Sequence, residues 1–78
     1  MKMHTYGDYG DDSPTVLLIH PMLSSASRMK AAVADHMGDG LRFLIPDLSA
    51  HGDEASASYV SAAAEAAAIH SWLVDHGI

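Results

Sequence analysis

The chain of 78 residues contains no cysteine. Neither a disulfide framework nor a thiolate metal site can therefore form, and nothing in the composition points to an oxidising compartment. Basic residues are also scarce, since four lysines and arginines stand against ten aspartates and glutamates, for a net charge of -6. This balance argues against nucleic acids and anionic membrane surfaces as partners.

Long apolar runs are missing as well. No stretch approaches the ~20 apolar residues that a membrane-spanning helix needs. The N-terminus, which reads MKMHTYGD, lacks the apolar core of a signal peptide. We therefore expect a cytoplasmic protein without membrane association.

Glycine is absent between His20 and Ser27, where a strand gives way to a helix start. Both the G-x-G-x-x-G fingerprint and the glycine-rich lysine loop are thereby excluded, so we expect no nucleotide cofactor and predict no cofactor of another kind. The six histidines include no pair at the i, i+4 spacing that places two imidazoles on one helix face. We predict no metal site from the four candidate ligands, which are His20, His51, His70 and His76.

The short length limits the core that this chain can build. A domain of this size buries only a little over half of the surface that its unfolded chain exposes. The composition is 49% hydrophobic, but much of this is alanine, which removes little apolar area from water. We therefore expect marginal stability and a partner or a missing remainder.

The hydrophobic pattern predicts alternating strands and helices. A first strand at residues 2–6 is only weakly indicated, and the acidic stretch after it is typical of a turn. The continuous apolar run at residues 16–19 suits a strand covered on both faces, as in a parallel sheet. The remaining predicted elements are a strand at 15–20, a helix that begins at Ser24, Ser25 or Ser27 and ends before Gly38, a strand at 41–45 that Pro46 stops, and a helix at about 58–76 that Gly77 ends.

This order predicts an α/β protein with parallel strands joined by crossover helices, as part of a three-layer sandwich. Two parallel strands cannot form a complete domain, because both would be edge strands that invite pairing with another chain. We therefore interpret residues 1–78 as a single partial domain, that is, a piece of a larger sheet.

The corner at His20 and Pro21 is the candidate for chemistry. A strand that stops at a sharp turn can aim the N–H of the next residue, here Met22, into a cleft at the carboxyl end of the sheet, where it could stabilise an oxyanion. For the His20 side chain itself we favour a structural role, in which it binds loop backbone while Pro21 rigidifies the corner. Ser27 and Lys30 match S-x-x-K, but the partner motifs are absent, so a helix cap and a surface lysine are favoured.

Segments 14–27 (PTVLLIHPMLSSAS) and 41–53 (LRFLIPDLSAHGD), followed by an alanine-rich helix, resemble the N-terminal part of the α/β-hydrolase family. The resemblance implies that the backbone N–H of Met22 forms half of an oxyanion hole and that His20 steadies its loop. It further implies that Leu23 and Ser24 contribute to substrate binding. Pro21 replaces the family's glycine, which restricts φ and suggests a different loop path with a cis His20–Pro21 bond as one route.

In the second segment, Pro46, Asp47, His51 and Gly52 align with the family's Pro-Asp-x-x-Gly-His-Gly motif, where they shape a loop; Ala50 replaces its first glycine. The family's nucleophile lies in G-x-S-x-G after the next strand, and this motif does not occur in the chain. The resemblance thus implies an esterase-like serine hydrolase of small acyl substrates that is incomplete without a C-terminal hydrolase portion. The alternative is a noncatalytic module that self-associates with a second copy through its strand edges.

Overall fold

The computed structural model describes residues 1–7, 13–38 and 40–78. The predicted acidic turn lies largely outside these residues. The α/β class is confirmed, and the described residues form three strands and two α-helices. The elements are β1 (Lys2–Gly7), β2 (Thr15–Leu17), α1 (Ala26–Ala32), β3 (Arg42–Asp47) and α2 (Ala62–Asp75), with short 3-10 helices at Ala34–His36 and Gly52–Glu54.

The sheet has the order β1-β3-β2. β2 runs parallel to β3, from Thr15 opposite Arg42 to Leu17 opposite Leu44, and α1 lies between them in the chain. β1 runs antiparallel to β3 along its whole length. The predicted parallel layout is therefore not confirmed for the sheet as a whole, because a parallel crossover requires a dozen or more connecting residues and the segment between β1 and β2 is shorter.

β3 is the central strand and is almost entirely buried. The prediction that Pro46 stops this strand is wrong, since Pro46 is part of β3 and lies opposite Met3 of β1. The pairing with β2 ends at Leu44, so beyond that point β3 is bonded on one edge only and a residue without an N–H is tolerated.

Helical residues lie on both faces of β3. Phe43 and Ile45 form a buried cluster with Ala26 of α1 and with Ala34. Alternation places Leu44 on the opposite face, where it lines a cavity together with Trp72 near the end of α2. β2 is less well covered than predicted, because it is only three residues long and Ile19 just beyond it is 52% exposed.

Both helices are shorter than predicted. Ser25 is the N-cap of α1, which ends at Ala32, and the chain continues as a 3-10 helix, so the predicted apolar stripe does not extend to Met37. α2 begins after its N-cap Ser61. It ends as predicted at Gly77, whose φ is +70°, with the N–H of Ile78 bonded to the carbonyl of Leu73 as in a Schellman motif.

None of the described helices has the length and apolar content required to cross a membrane.

Candidate functional site

The loops that follow β2 and β3 meet at one edge of the sheet. The two strands are parallel, so their carboxyl ends lie on the same side, which is where ligands bind in open α/β sheets. The first loop, residues 18–25, contains the predicted oxyanion corner. The second loop, residues 48–57, contains His51 and Gly52.

Asp47, the last residue of β3, joins these loops to β1. Its Oδ1 accepts a hydrogen bond from the N–H of Ala26 at 2.8 Å, and its Oδ2 accepts one from the N–H of Asp53 at 3.1 Å. The Nε2 of His4 lies 2.7 Å from the same Oδ2. Burial raises the pKa of Asp47, but the hydrogen bonds from the two backbone N–H groups and from His4 outweigh it, so the pKa lies below its usual value. Asp47 therefore anchors three segments as a carboxylate.

Position 52 must be a glycine because its backbone packs directly against the carboxylate of Asp47. Its φ is +52°, a region that favours glycine, and a Cβ at this position would overlap the carboxylate of Asp47. The sequence motif thus has a steric explanation: the chain turns so closely over Asp47 that no side chain fits.

His20 is 3% exposed and is hydrogen-bonded at both ring nitrogens. Its Nδ1 lies 2.8 Å from the carbonyl oxygen of Pro21, and its Nε2 lies 3.1 Å from the backbone nitrogen of Leu48. A carbonyl can only accept and an N–H can only donate, so the proton is on Nδ1 and the ring is neutral. The side chain therefore connects the β2 loop to the β3 loop.

His51 makes the reciprocal connection. Its Nε2 accepts from the N–H of Leu23 at 3.1 Å, and its Nδ1 donates to the carbonyl of Ser49 at 2.9 Å. The same reasoning assigns the neutral Nδ1–H tautomer. The ring centroids of His20 and His51 are 5.0 Å apart. Each loop thus contributes one imidazole that accepts an N–H of the other loop.

The backbone of Leu23 is held in an unusual conformation. Its φ is +65°, which costs a residue with a side chain about 1–2 kcal/mol, and the side chain is 88% exposed. The N–H of Met22, by contrast, has no acceptor among residues 1–7, 13–38 and 40–78. No cis peptide bond occurs in this part of the chain, so the bond between His20 and Pro21 is trans. Within the described residues, the Met22 N–H is thus one of several backbone donors of this loop without an acceptor, and it lies beside the restrained Leu23.

The other predicted residues of the first loop have different roles. Ser25, not Ser27, caps α1, because its side chain accepts from the N–H of Arg28. Lys30 of the S-x-x-K match is bonded to Asp35 at 2.8 Å. The substrate-binding roles of Leu23 and Ser24 stay predictions. In the described part of the chain no serine hydroxyl is hydrogen-bonded to a histidine, so these residues do not assemble a nucleophile with its base.

Sequence reasoning missed two members of the network. Glu65 of α2 is buried, and its carboxylate accepts hydrogen bonds from the N–H and, at 3.1 Å, the hydroxyl of Ser49. The sequence carried a signal for it, since Glu65 is the only charged residue in a run of six alanines. His4 carried no comparable signal, because only the pairing of β1 with β3 brings it to Asp47.

The histidine and carboxylate groups of His4, Asp47 and Asp53 place ligand-type atoms within 4.8 Å of one another. Asp47 already accepts two backbone N–H groups and lies at hydrogen-bond distance from His4. Asp53 is exposed and faces Lys2 at 3.8 Å. We interpret this cluster as an ion-paired loop anchor, not as a metal site.

Comparison of the chain with protein-family models, with curated proteins and with solved structures gave no match.

Proposed function

We propose that this chain is the N-terminal part of an esterase-like α/β-hydrolase that acts on small acyl substrates. In this proposal it supplies an oxyanion donor, the N–H of Met22, and depends on a C-terminal hydrolase portion for nucleophile, acid and base. The observation that carries the proposal is that the N–H of Met22 has no acceptor among the described residues, in a loop that His20 and His51 hold at the carboxyl end of two parallel strands.

A fixed donor of this kind fits acyl transfer. When a nucleophile attacks an ester carbonyl, negative charge develops on the oxygen, and a donor that is positioned in advance stabilises the transition state. Removal of one such donor typically slows catalysis about 10²–10³-fold. The neighbouring N–H of Leu23 is bonded to His51 and is not available to a substrate, so we assign the oxyanion role to the N–H of Met22. Leu23 and Ser24 would contact the acyl group.

The sheet supports the need for a further chain portion. Among the described residues no strand pairs with the outer edge of β2. Leu17 and Ile19 on this strand and its extension are exposed apolar residues. A strand added to this edge would satisfy the free backbone groups and cover these side chains. The C-terminal hydrolase portion is therefore the partner that we propose for β2.

The test compares Met22→Pro, which removes the N–H, with Met22→Leu, which keeps it. Each variant is combined with the C-terminal hydrolase portion, and hydrolysis of p-nitrophenyl acetate is measured. We expect a loss of about 10²-fold in kcat for Met22→Pro and little change for Met22→Leu. Full activity of Met22→Pro, or an equal loss in Met22→Leu, would contradict the role of the N–H. Activity of the chain alone would show that the nucleophile is not supplied by another portion.

The same open edge favours a second function, a noncatalytic module that self-associates. Two copies that join through β2 would also cover Leu17 and Ile19. Sedimentation velocity separates the two functions: a homodimer that does not bind the C-terminal hydrolase portion favours self-association, whereas a complex with that portion favours the hydrolase.

A further inference from the structure

We propose that His51 is a positioning residue and a pH-sensitive switch for loop 20–23: its neutral ring holds Leu23 in the left-handed conformation, and protonation of its Nε2 releases this residue. The switch itself depends only on the observed contacts. Its consequence for catalysis rests on the proposed function.

The first step concerns the direction of the hydrogen bond. The Nε2 of His51 is the acceptor for the N–H of Leu23 at 3.1 Å. A proton taken from solvent would occupy the Nε2 lone pair, and two N–H donors would then face each other. The bond to Leu23 cannot survive this change, whereas the bond from Nδ1 to the carbonyl of Ser49 is compatible with a charged ring.

The second step concerns what the bond restrains. Leu23 has φ of +65° and an 88% exposed side chain. Its N–H bond to His51 is the hydrogen bond that this residue makes with the second loop. Without this hydrogen bond, the ordinary preference of an L-residue for negative φ favours a change of the Leu23 backbone to negative φ. Because Met22 immediately precedes Leu23, the direction of the free Met22 N–H changes with it.

The third step concerns the charged groups around the His51 ring, which influence whether the ring is neutral or protonated. Histidine is the side chain whose charge ordinarily changes between pH 5 and 8. The ring of His20 lies 5.0 Å away, so a charge on one ring opposes a charge on the other. The charged or titratable groups recorded around this loop network are the amino terminus, Lys2, His4, His20, Asp47, Asp53, Glu54 and Glu65.

The effect on a completed hydrolase follows. Deprotonated His51 would keep the donor of Met22 in position, and acid would release it. The loss would appear in kcat more than in KM, because an oxyanion donor stabilises the transition state more than the bound ester.

The test uses NMR of the isotope-labelled 78-residue chain. Ring ¹⁵N shifts give the tautomer and charge of His20 and His51, and hydrogen exchange gives the protection factor of the Leu23 amide. At about pH 7.5 we expect both rings as Nδ1–H tautomers and a protected Leu23 amide. The pH is then lowered until the ring ¹⁵N shifts report a charged His51, and at that point we expect the protection factor of the Leu23 amide to be lowered about tenfold, the scale of one hydrogen bond.

Two variants separate positioning from a general structural role. His51→Gln retains an acceptor but cannot be protonated, so the protection of Leu23 should no longer depend on pH. Leu23→Gly removes the preference for negative φ, so its loop should keep the neutral-pH amide shifts further into acid. An unprotected Leu23 amide at about pH 7.5 would overturn the proposal, as would protonation of His51 that leaves the amide protected. These readouts are independent of ester hydrolysis, so the switch and the proposed function can fail separately.

Discussion

Replacement of Gly52 by alanine should be among the most damaging single-methyl changes in this chain. Two effects add. A φ of +52° costs an alanine about 1 kcal/mol, and the new Cβ would displace the carboxylate of Asp47. That carboxylate accepts hydrogen bonds from the N–H groups of Ala26 and Asp53, and a hydrogen bond to a charged group contributes about 1.5–3 kcal/mol. We expect the free energy of unfolding to fall by about 3 kcal/mol or more.

Gly38→Ala is the matched control. Gly38 also has positive φ, at +84°, but a Cβ there would meet nothing within 4 Å. This variant should show only the backbone cost of about 1 kcal/mol. Urea unfolding followed by far-ultraviolet circular dichroism measures both variants. Equal losses in Gly52→Ala and Gly38→Ala would refute the steric role that we assign to Asp47.

Two further predictions concern the buried carboxylates. Because the pKa of Asp47 is lowered in the fold, its ionised form contributes stability above the unfolded value near 3.8, and this contribution is lost as the pH falls through the folded-state pKa. Asp47→Asn should therefore lower the urea midpoint of unfolding at neutral pH and flatten the decline of that midpoint in acid. Asp75→Asn, at an exposed position, is the control and should leave the dependence of the midpoint on pH unchanged. Parallel pH profiles for wild type and Asp47→Asn would contradict this prediction. Glu65→Ala should lower the free energy of unfolding by about 2 kcal/mol because it leaves the buried N–H of Ser49 unpaired. Thermal unfolding, with Asp75→Ala as the control, measures this loss. Equal melting temperatures for the two variants would argue against the hydrogen bond between Ser49 and Glu65.

The sequence predicted the elements better than their arrangement. Apolar runs and turn residues located all three strands, and Gly77 marked the end of α2 correctly. Strand direction was not encoded in the weak alternation of residues 2–6, so the antiparallel pairing of β1 was missed. A proline ends a strand that is hydrogen-bonded on both edges, because it has no N–H to donate. The end predicted at Pro46 was wrong because β3 is hydrogen-bonded on only one edge at that residue.

The site shows the same division between local and long-range information. The closeness of Gly52 to Asp47 follows from a local motif in one loop. The bond between Leu23 and His51 joins residues 28 positions apart, and the contact of His4 with Asp47 depends on a strand pairing that the sequence indicated only weakly. Tertiary contacts therefore determine which polar groups belong to the network, while the local sequence determines the shape of each loop.

The position of β1 in the sheet has a consequence for the order of folding. Ala26 and Asp47 are 21 positions apart, whereas His4 and Asp47 are 43 apart, and each doubling of a closed loop costs about 0.6 kcal/mol in chain entropy. The unit β2–α1–β3 can close without β1, but β1 can pair only with a β3 that has already formed. Although β1 precedes β2 and β3 in the chain, it should therefore be the last of the three strands to dock. Substitutions in β1 should accelerate unfolding, whereas those in β3 should slow folding.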